Sequence, residues 1–384
     1  MMALKGYAAP EVEQVYQQAR ELCRHVEDQS LVFNVLQGAR RFYQVRADYH
    51  TAQELATQLF NMAQHTQEPE HTLTACYALG EAAHFLGHFI EAQDAFTQGL
   101  TAYDQMPQHR SGILQDYGVG CHFYLATLLW ILGYPQQARQ GIEAASAMAQ
   151  ALTHPYTQVM VANYAARIYL LCGEFAAAQA QAETQIAIAT ERSWALWEAS
   201  GTMYLGSALA LQGFYPEGIV KIEQGLQAFQ ATGAHMSLST FLSYLTLAYL
   251  KNGQADKAQR ALDSAQEIVY HRDERYLEAE LQRLRGELLL TQSQSIASQQ
   301  NAAACFVEAL AIARRQQAKS LELRAALSLY RLWQQQGNTR EAHQLLADVY
   351  AWFTEGFDTA DLKEAQALLD TSERDLEFRH QGRA

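Results

Sequence analysis

A tyrosine recurs every 40 residues through the middle of this chain, and a glycine follows each of these tyrosines nine positions later. The glycine series continues toward both ends, back to Gly87 and forward to Gly337. Such a period is typical of stacked repeats, because one unit cannot bury its apolar face alone and neighbouring units bury it together. The chain is therefore expected to fold as one elongated array. The regular pairs are Tyr124 and Gly133, Tyr164 and Gly173, Tyr204 and Gly213, and Tyr244 and Gly253.

Each unit has the pattern of two helices joined at its glycine. Around Gly133, apolar residues stand four positions apart on both sides, at Leu125 and Leu129 before it and at Ala138 and Ile142 after it. This spacing places an apolar stripe on each helix, and the glycine supplies the backbone freedom that ends the first helix. The pattern predicts an all-α fold of antiparallel helix pairs, with helices of about 16 to 18 residues.

One unit shows a family pattern across both of its helices, in Leu79, Gly80, Ala92, Phe96 and Leu100. These residue types at this spacing resemble the tetratricopeptide repeat, although the period here is longer than the usual length of about 34 residues. The resemblance implies a right-handed superhelical solenoid of antiparallel helix pairs with a concave inner face. It covers most of the chain.

The period and the resemblance together predict a single solenoid rather than several domains. Residues 1–67 are expected to form an N-terminal helix and an atypical first repeat, and residues 68–355 the core repeats. Residues 356–372 are expected to form a C-terminal capping helix, followed by a frayed tail at 373–384. The polar run TQSQSIASQQN at 291–301 is predicted to be a loop.

Five segments carry a more specific pattern, at residues 5–23, 108–111, 274–290, 309–342 and 350–365. They resemble the C-terminal region of bacterial multidomain signalling proteins. Those proteins join a class III nucleotide cyclase or a protein kinase to a STAND-type AAA ATPase and then to a tetratricopeptide array. The resemblance implies a sensor or regulatory part, with tethered ATPase and effector domains as partners. No GxxxxGK(S/T) phosphate loop occurs, so the ATPase site itself has no counterpart in this sequence.

Charge and composition argue against several kinds of partner. The formal net charge is −13 and Lys and Arg form no cluster, which disfavours nucleic acid, because affinity for nucleic acid comes largely from neutralising phosphates. The N-terminus has no apolar signal-peptide core, and no apolar stretch is long enough to span a bilayer. The five cysteines are widely spaced and form no CxxC motif. A cytoplasmic protein with neither a membrane nor a nucleic-acid partner is expected.

Two local arrangements could carry chemistry. His84 and His88 are four residues apart, a spacing that presents two metal ligands on one helical face, but an exposed helix end also explains the pair and no third ligand is visible. Cys121 beside His122 could be a nucleophile with its base, but no orienting acid is identifiable. We therefore expect no catalytic residue, no metal and no cofactor.

The tyrosine ladder is the better candidate for a binding surface. Its position lies between the packed stripe and the concave face, so the hydroxyls either face the groove or bond to neighbouring helices. Asn163 and Arg167 could bind backbone carbonyls or a carboxylate, similar to the Asn and basic groups of peptide-clamping tetratricopeptide domains. This mixture suits an extended peptide or protein segment. The predicted groove residues are Tyr77, Phe123, Tyr124, Trp130, Asn163, Tyr164, Arg167, Tyr204, Ser207 and Tyr244.

The connection at residues 106–118 is longer than the others, because the step from Gly87 to Gly133 is 46 residues instead of 40. Long loops in compact arrays often have functional roles. His109, Arg110 and Asp116 could fold over the groove mouth as a lid, or the loop could simply bridge two repeats at a bend.

The sequence as a whole predicts a noncatalytic module that binds a protein or peptide in its concave groove. Binding would favour one curvature of the solenoid, and an attached ATPase would respond to that curvature. Two alternatives stay open: a small-molecule sensor with an aromatic pocket near Phe123, Trp130 and Tyr164, and a scaffold that assembles copies of itself. An open groove, a closed pocket with convergent polar groups, or ligand-free oligomers would distinguish the three.

Overall fold

The computed structural model describes residues 10–23, 26, 28–106 and 115–381, which form eighteen α-helices and no strand. The predicted all-α solenoid of helix pairs is thus confirmed, and helix lengths of 12 to 22 residues bracket the expected value. In chain order the helices are α1 (Pro10–Cys23), α2 (Gln29–Val45), α3 (Tyr49–Thr66), α4 (Pro69–Phe85), α5 (Phe89–Asp104), α6 (Tyr117–Leu132), α7 (Pro135–Leu152), α8 (Pro155–Cys172), α9 (Phe175–Glu191), α10 (Ala195–Leu211), α11 (Tyr215–Ala231), α12 (Leu238–Lys251), α13 (Ala255–Arg272), α14 (Glu278–Gln292), α15 (Ile296–Arg315), α16 (Lys319–Gln335), α17 (Thr339–Tyr350) and α18 (Ala360–Gln381).

Small residues determine how closely the two helices of a unit approach. Between α10 and α11, a Cβ atom on Gly206 would meet the carbonyl oxygen of Gly218 at 2.7 Å. A Cβ atom on Gly218 would in turn meet the backbone nitrogen of Ala210 at 2.7 Å. The two backbones therefore touch at this crossing, which any side chain larger than hydrogen would force apart.

Turn glycines end the first helix in most of the units. Gly133 has φ of 97°, and its N–H donates to the Trp130 carbonyl at 3.1 Å. The N–H of Tyr134 donates to the Leu129 carbonyl at 2.8 Å, which completes a left-handed helix end. Ala47 adopts the same backbone region in the first unit, with φ of 59°, where a side chain costs about 1–2 kcal/mol.

The array winds into a superhelix whose second turn rests on its first. A Cβ atom added to a first-turn glycine would meet a residue that lies 186 to 188 positions further along the chain, so one superhelical turn holds about five units. We call this line of contact the seam. Its pairs are Gly87 with Arg275, Gly133 with Lys319, and Gly173 with Ala360.

Polar and apolar contacts both stabilise the seam. Arg139 donates to Glu174 at 3.1 Å and to Asp358 at 2.9 Å, and the Ser320 hydroxyl donates to the Trp130 carbonyl at 2.5 Å. One buried apolar cluster contains residues of both turns, so the core is continuous across the seam. Within the described ranges, no helix combines the length and apolar character that a membrane span needs.

Two local predictions differ from the structure. The final helix α18 continues to Gln381, beyond the end near residue 372 that the sequence indicates. The predicted loop at 291–301 was wrong, because only residues 293–295 lie between α14 and α15. Ser295 begins α15 by accepting the Ser298 N–H at 3.2 Å, which turns a polar run into a capped helix start. The broader division into N-terminal, core and capping parts stays a prediction.

The seam can be tested with two matched glycines. Gly133 and Gly213 have φ of 97° and 98°, so alanine strains both backbones equally, by about 1–2 kcal/mol. At Gly133 the new methyl would also meet Lys319 Cβ at 2.9 Å, whereas nothing lies within 4 Å at Gly213. Gly133→Ala should therefore destabilise the protein by about 1–3 kcal/mol more than Gly213→Ala, as measured by urea denaturation. Equal losses would mean that the two turns do not touch.

Candidate functional site

The first part of the predicted groove is filled by an aromatic cluster. Tyr77, Phe123 and Tyr124 are each at most 1% exposed. The Tyr124 ring stacks on Phe96 at 5.1 Å, and Phe123 stacks on Tyr164 at 4.1 Å. These rings are therefore engaged in packing between units, and a role for them in contacting a ligand stays a prediction.

A buried carboxylate organises the charges behind this cluster. Glu81 is fully buried; it pairs with Arg40, accepts from Arg41 at 3.0 Å, and accepts the Tyr124 hydroxyl at 2.8 Å. Burial by itself would raise the pKa of Glu81, but the two guanidinium groups and the tyrosine hydroxyl outweigh it and lower the pKa below the usual 4.5. Glu81 is therefore ionised at neutral pH and holds helices α2, α4 and α6 together.

His84 lies deeper in the same interior. It is fully buried between Tyr124 and Tyr276, with ring centroids 5.6 and 5.1 Å away, and neither ring nitrogen has a hydrogen-bond partner among the described residues. Burial, and then the nearby Arg167 charge, lower the pKa of His84 well below 6.5, so the imidazole is neutral. His88, by contrast, is half exposed in the turn beside Glu91. The described part of the chain holds no group of three His, Cys, Asp or Glu arranged for a metal ion.

The Cys121 thiol is fully buried, and its environment suppresses ionisation. Burial, with smaller contributions from Cys76 and Asp116, raises the pKa of Cys121 well above 9. Because the thiolate is the nucleophilic form, this cysteine has the character of a structural rather than a catalytic residue.

Asp116, the one described residue of the predicted lid, has a structural position. It is 1% exposed, accepts the Val119 N–H at 2.9 Å as the cap of α6, and accepts the Tyr103 hydroxyl at 3.1 Å. The loop therefore ends at a fixed helix cap. The other two predicted lid residues, His109 and Arg110, lie outside the described residues, so the lid stays a prediction.

Two cavities open inside the superhelix, and Arg167 lines both. The larger, about 220 Å³, lies between α8, α12, α14, α16 and α18 and also includes Tyr244. The smaller, about 30 Å³, includes Asn163, Tyr164 and Tyr204. Five of the ten predicted groove residues are thus brought together around two adjoining cavities.

The two remaining predicted residues are engaged elsewhere. Ser207 is fully buried, and its hydroxyl donates to the Met203 carbonyl at 2.8 Å within its own helix. Trp130 is 3% exposed, and the Arg324 guanidinium lies 4.7 Å over its ring. Trp130 therefore supports the seam, while Ser207 satisfies its hydroxyl locally.

The charges around the larger cavity do not cancel. Four arginines and three carboxylates line it. Three of the arginines have acidic partners: Arg283 with Glu280 at 2.7 Å, Arg324 with Asp361 at 2.7 Å, and Arg331 with Glu364.

Arg167 is the fourth arginine, and among the described residues it has no ion pair or hydrogen bond. It lies 5.0 Å over the Tyr276 ring and is 5% exposed. Burial opposes its charge, but the surrounding tyrosines, Tyr276 and Tyr204 foremost, outweigh that effect and raise the pKa of Arg167 above its usual value, so it stays protonated. A buried cation without a counter-ion faces the two cavities, which is the environment that an anionic group would neutralise.

The C-terminal half of this lining was not predicted from the sequence. Arg283, Arg324 and Asp361 come from helices more than 100 residues after Arg167, and only the closure of the superhelix brings them to it. A signal was present in the sequence, because arginines interrupt the apolar positions of α14 and α16. Without the superhelical geometry, that pattern indicates an ordinary exposed helix face.

The fold and its charged interior define the class of the protein: it is an α-solenoid of tetratricopeptide-like repeats. No family profile matches the chain, and no curated protein matches it. Similar solved structures cover nearly its whole length. A Rap protein complexed with Competence and Sporulation Factor is 14% identical with a TM-score of 0.57, and covers 96% of this chain and 94% of its own.

Two further structures agree with this class. The Rap conjugation gene regulator of the plasmid pLS20, in complex with the Phr* peptide, is 12% identical with a TM-score of 0.54 and covers 90% of this chain and 97% of its own. Aspartyl phosphate phosphatase F from Bacillus subtilis is 12% identical with a TM-score of 0.51 and covers 94% of this chain and 92% of its own. At these identities the likeness establishes the fold.

Glu81 gives a direct test of the buried charges. Glu81→Gln keeps the shape of the side chain but leaves the Arg40 and Arg41 guanidinium groups buried without a counter-charge, which should cost about 3–5 kcal/mol in unfolding free energy at pH 7. The exposed Glu91→Gln serves as the control and should change little.

The pH dependence of the stability difference between wild type and Glu81→Gln gives a second measurement. The pKa of Glu81 is lowered in the folded state. Its contribution to the free energy of unfolding is therefore fully present above the unfolded-state pKa and is lost as the pH falls through the folded-state pKa. The stability difference between wild type and Glu81→Gln should therefore shrink in acid. A difference that is absent at pH 7, or independent of pH, would contradict this assignment.

Proposed function

We propose that this chain is a noncatalytic interaction module that binds a peptide or protein segment at the two interior cavities around Arg167. The observation that carries the proposal is the uncompensated Arg167 cation at the point where both cavities meet. A carboxylate or a set of backbone carbonyls of a bound segment would supply the missing negative partner.

The neighbouring residues suit a polypeptide ligand. The Asn163 amide oxygen accepts from Gln185 at 3.2 Å, which leaves the amide nitrogen to donate to a backbone carbonyl. Tyr164, Tyr204 and Tyr244 offer large rigid rings at low entropic cost. At many interfaces a few buried aromatic and arginine residues supply most of the binding energy, and this site combines both.

The likeness to peptide-bound structures supports the same proposal. The pLS20 regulator was solved in complex with a peptide, and its fold covers 90% of this chain. The Cys121 thiol, whose ionisation is suppressed by burial, and the neutral, buried His84 support a noncatalytic role. We extend the proposal to a cytoplasmic module that regulates tethered ATPase and effector domains, on the resemblance of residues 274–290 and 309–342 to bacterial signalling proteins.

A small-molecule sensor is the second candidate, and the size of the larger cavity favours it. At about 220 Å³, and lined from both turns of the superhelix, the cavity suits a compact organic anion rather than a long extended chain. In either case occupancy would connect residues of both turns and favour the closed superhelix.

The proposal predicts that peptide binding depends on Arg167. Peptides selected from a random display library with free carboxyl ends should bind wild type, and Arg167→Met should weaken them by about 10- to 100-fold through loss of a charge-assisted hydrogen bond. Methionine retains the apolar stem, so the packing against Tyr276 is largely kept. Fluorescence anisotropy measures the affinity, and circular dichroism confirms the fold.

Arg260→Met is the matched control, because Arg260 is exposed on α13 and lines neither cavity. It should leave the affinity unchanged. Equal binding by wild type and Arg167→Met would remove the cavities as the site. If no peptide is selected, while dialysis against a metabolite mixture enriches a small anion on wild type only, the sensor replaces the peptide module.

A further inference from the structure

The two interior cavities differ in the charge of their walls. Among the described residues, Arg41 and Arg167 line the smaller cavity and no acidic residue does. Arg41 is paired with Glu81 at 3.0 Å, so Arg167 carries the charge that is left over. In the larger cavity each acidic residue is matched by an arginine, which leaves that wall neutral apart from Arg167. An anionic group is therefore favoured in the smaller cavity rather than the larger one.

Trp197 adds an uncharged donor to the wall of the smaller cavity. It is 4% exposed, and its indole N–H is buried without a hydrogen-bond acceptor among the described residues. Buried donors are normally paired, so this one indicates an acceptor that the protein itself does not supply. The Asn163 amide oxygen already accepts from Gln185 at 3.2 Å, which makes the amide nitrogen a further donor on the same wall. A group with several acceptor lone pairs would satisfy these donors together.

The size of the smaller cavity selects among such acceptors. One water molecule needs roughly 10–15 Å³ of cavity space, so about 30 Å³ holds roughly two or three atoms of that size. A carboxylate, with two oxygens on one carbon, matches this space, whereas a phosphate places four oxygens around phosphorus. A backbone carbonyl also fits, but it brings no charge to offset Arg167. The carboxylate is therefore the group that matches both the volume and the charge.

The larger cavity suits the uncharged remainder of a ligand. Seven leucines and Phe175 line it, and its three ion pairs are internally neutral. At about 220 Å³ it has room for a compact apolar group. Arg167 lines both cavities, so it lies where such a group would join its carboxylate.

We propose that the ligand is a carboxylate joined to a compact apolar group. The carboxylate occupies the smaller cavity, where Arg167 neutralises it and the Trp197 N–H donates to one of its oxygens, and the apolar group occupies the larger cavity. This inference rests on the proposed function and names the chemistry of its ligand. Two sources carry that chemistry: the C-terminal residue of a peptide and a free carboxylic acid.

The first test titrates the full chain with 4-methylpentanoate and with its neutral counterpart, 4-methylpentanamide, and follows the indole N–H signals by ¹⁵N NMR. The Trp197 signal, assigned by its loss in Trp197→Phe, should shift on addition of the acid. The amide should bind at least about 10-fold more weakly, because it has no charge to pair with Arg167, and Arg167→Met should lose this preference. A Trp197 signal that stays in place, or an acid and an amide that bind equally, overturns the proposal.

Two neighbouring tryptophans provide matched variants. Trp194 and Trp197 both pack edge-on against Tyr156, with ring centroids 5.3 and 5.7 Å away, but of the two only Trp197 lines either cavity. Trp197→Phe should weaken 4-methylpentanoate binding about 10-fold through loss of one hydrogen bond to a charged group, and Trp194→Phe should leave the affinity unchanged. Isothermal titration calorimetry measures both. Equal losses would mean that packing rather than the N–H matters, which contradicts the proposed contact.

Peptides distinguish the two sources of the carboxylate. If the source is a peptide C-terminus, a selected peptide should compete with 4-methylpentanoate and should lose affinity when its C-terminus is amidated. If the acid binds as expected and no peptide competes with it, the source is a free carboxylic acid. Peptides that require Arg167 but bind equally well as acid and amide would overturn this inference and leave the proposed function standing.

Discussion

The closing of one superhelical turn onto another at glycine is the contact on which the rest of this structure depends. Gly133 meets two requirements at once: a left-handed backbone that ends α6, and an absent side chain that lets Lys319 and Trp352 approach. Only glycine satisfies both without strain. Where the second turn is present, the interior becomes an enclosed space with its own charges. Where it is absent, at Gly213, the same backbone turn faces water.

Enclosure gives the interior charges their importance. Buried ions are tolerated when they are paired, and Glu81, Arg283 and Arg324 all have partners of opposite charge. Arg167 is the exception, because among the described residues it has no acidic partner and its guanidinium lies over the Tyr276 ring. A ligand that supplies a negative group there would relieve an existing electrostatic cost, so part of its binding free energy is already provided by the folded protein.

The local part of this account could be predicted from the sequence. The 40-residue period and the apolar spacing around Gly133 determine helix pairs, and Asn163, Tyr164, Arg167 and Tyr204 do converge at one place. The closure could not be predicted, because it depends on small rotations that accumulate over about five units. For the same reason the second-turn residues of the cavity, such as Arg283, were missed. Composition alone was also insufficient near Ser295. Its capping hydrogen bond starts α15 inside a polar run that composition assigns to a loop.

The central claim is that the two superhelical turns are in contact in solution. A distance measurement by double electron–electron resonance tests it, with genetically encoded spin labels at the exposed positions Gln136 and Phe357, on opposite sides of the seam. Gly356 lies against Pro135, where an added Cβ would meet the ring carbon Cδ at 3.1 Å. The account predicts one narrow distribution at the shortest distances that the method resolves. A broad distribution at long distances would show an open array and would remove both the seam and the interior cavities.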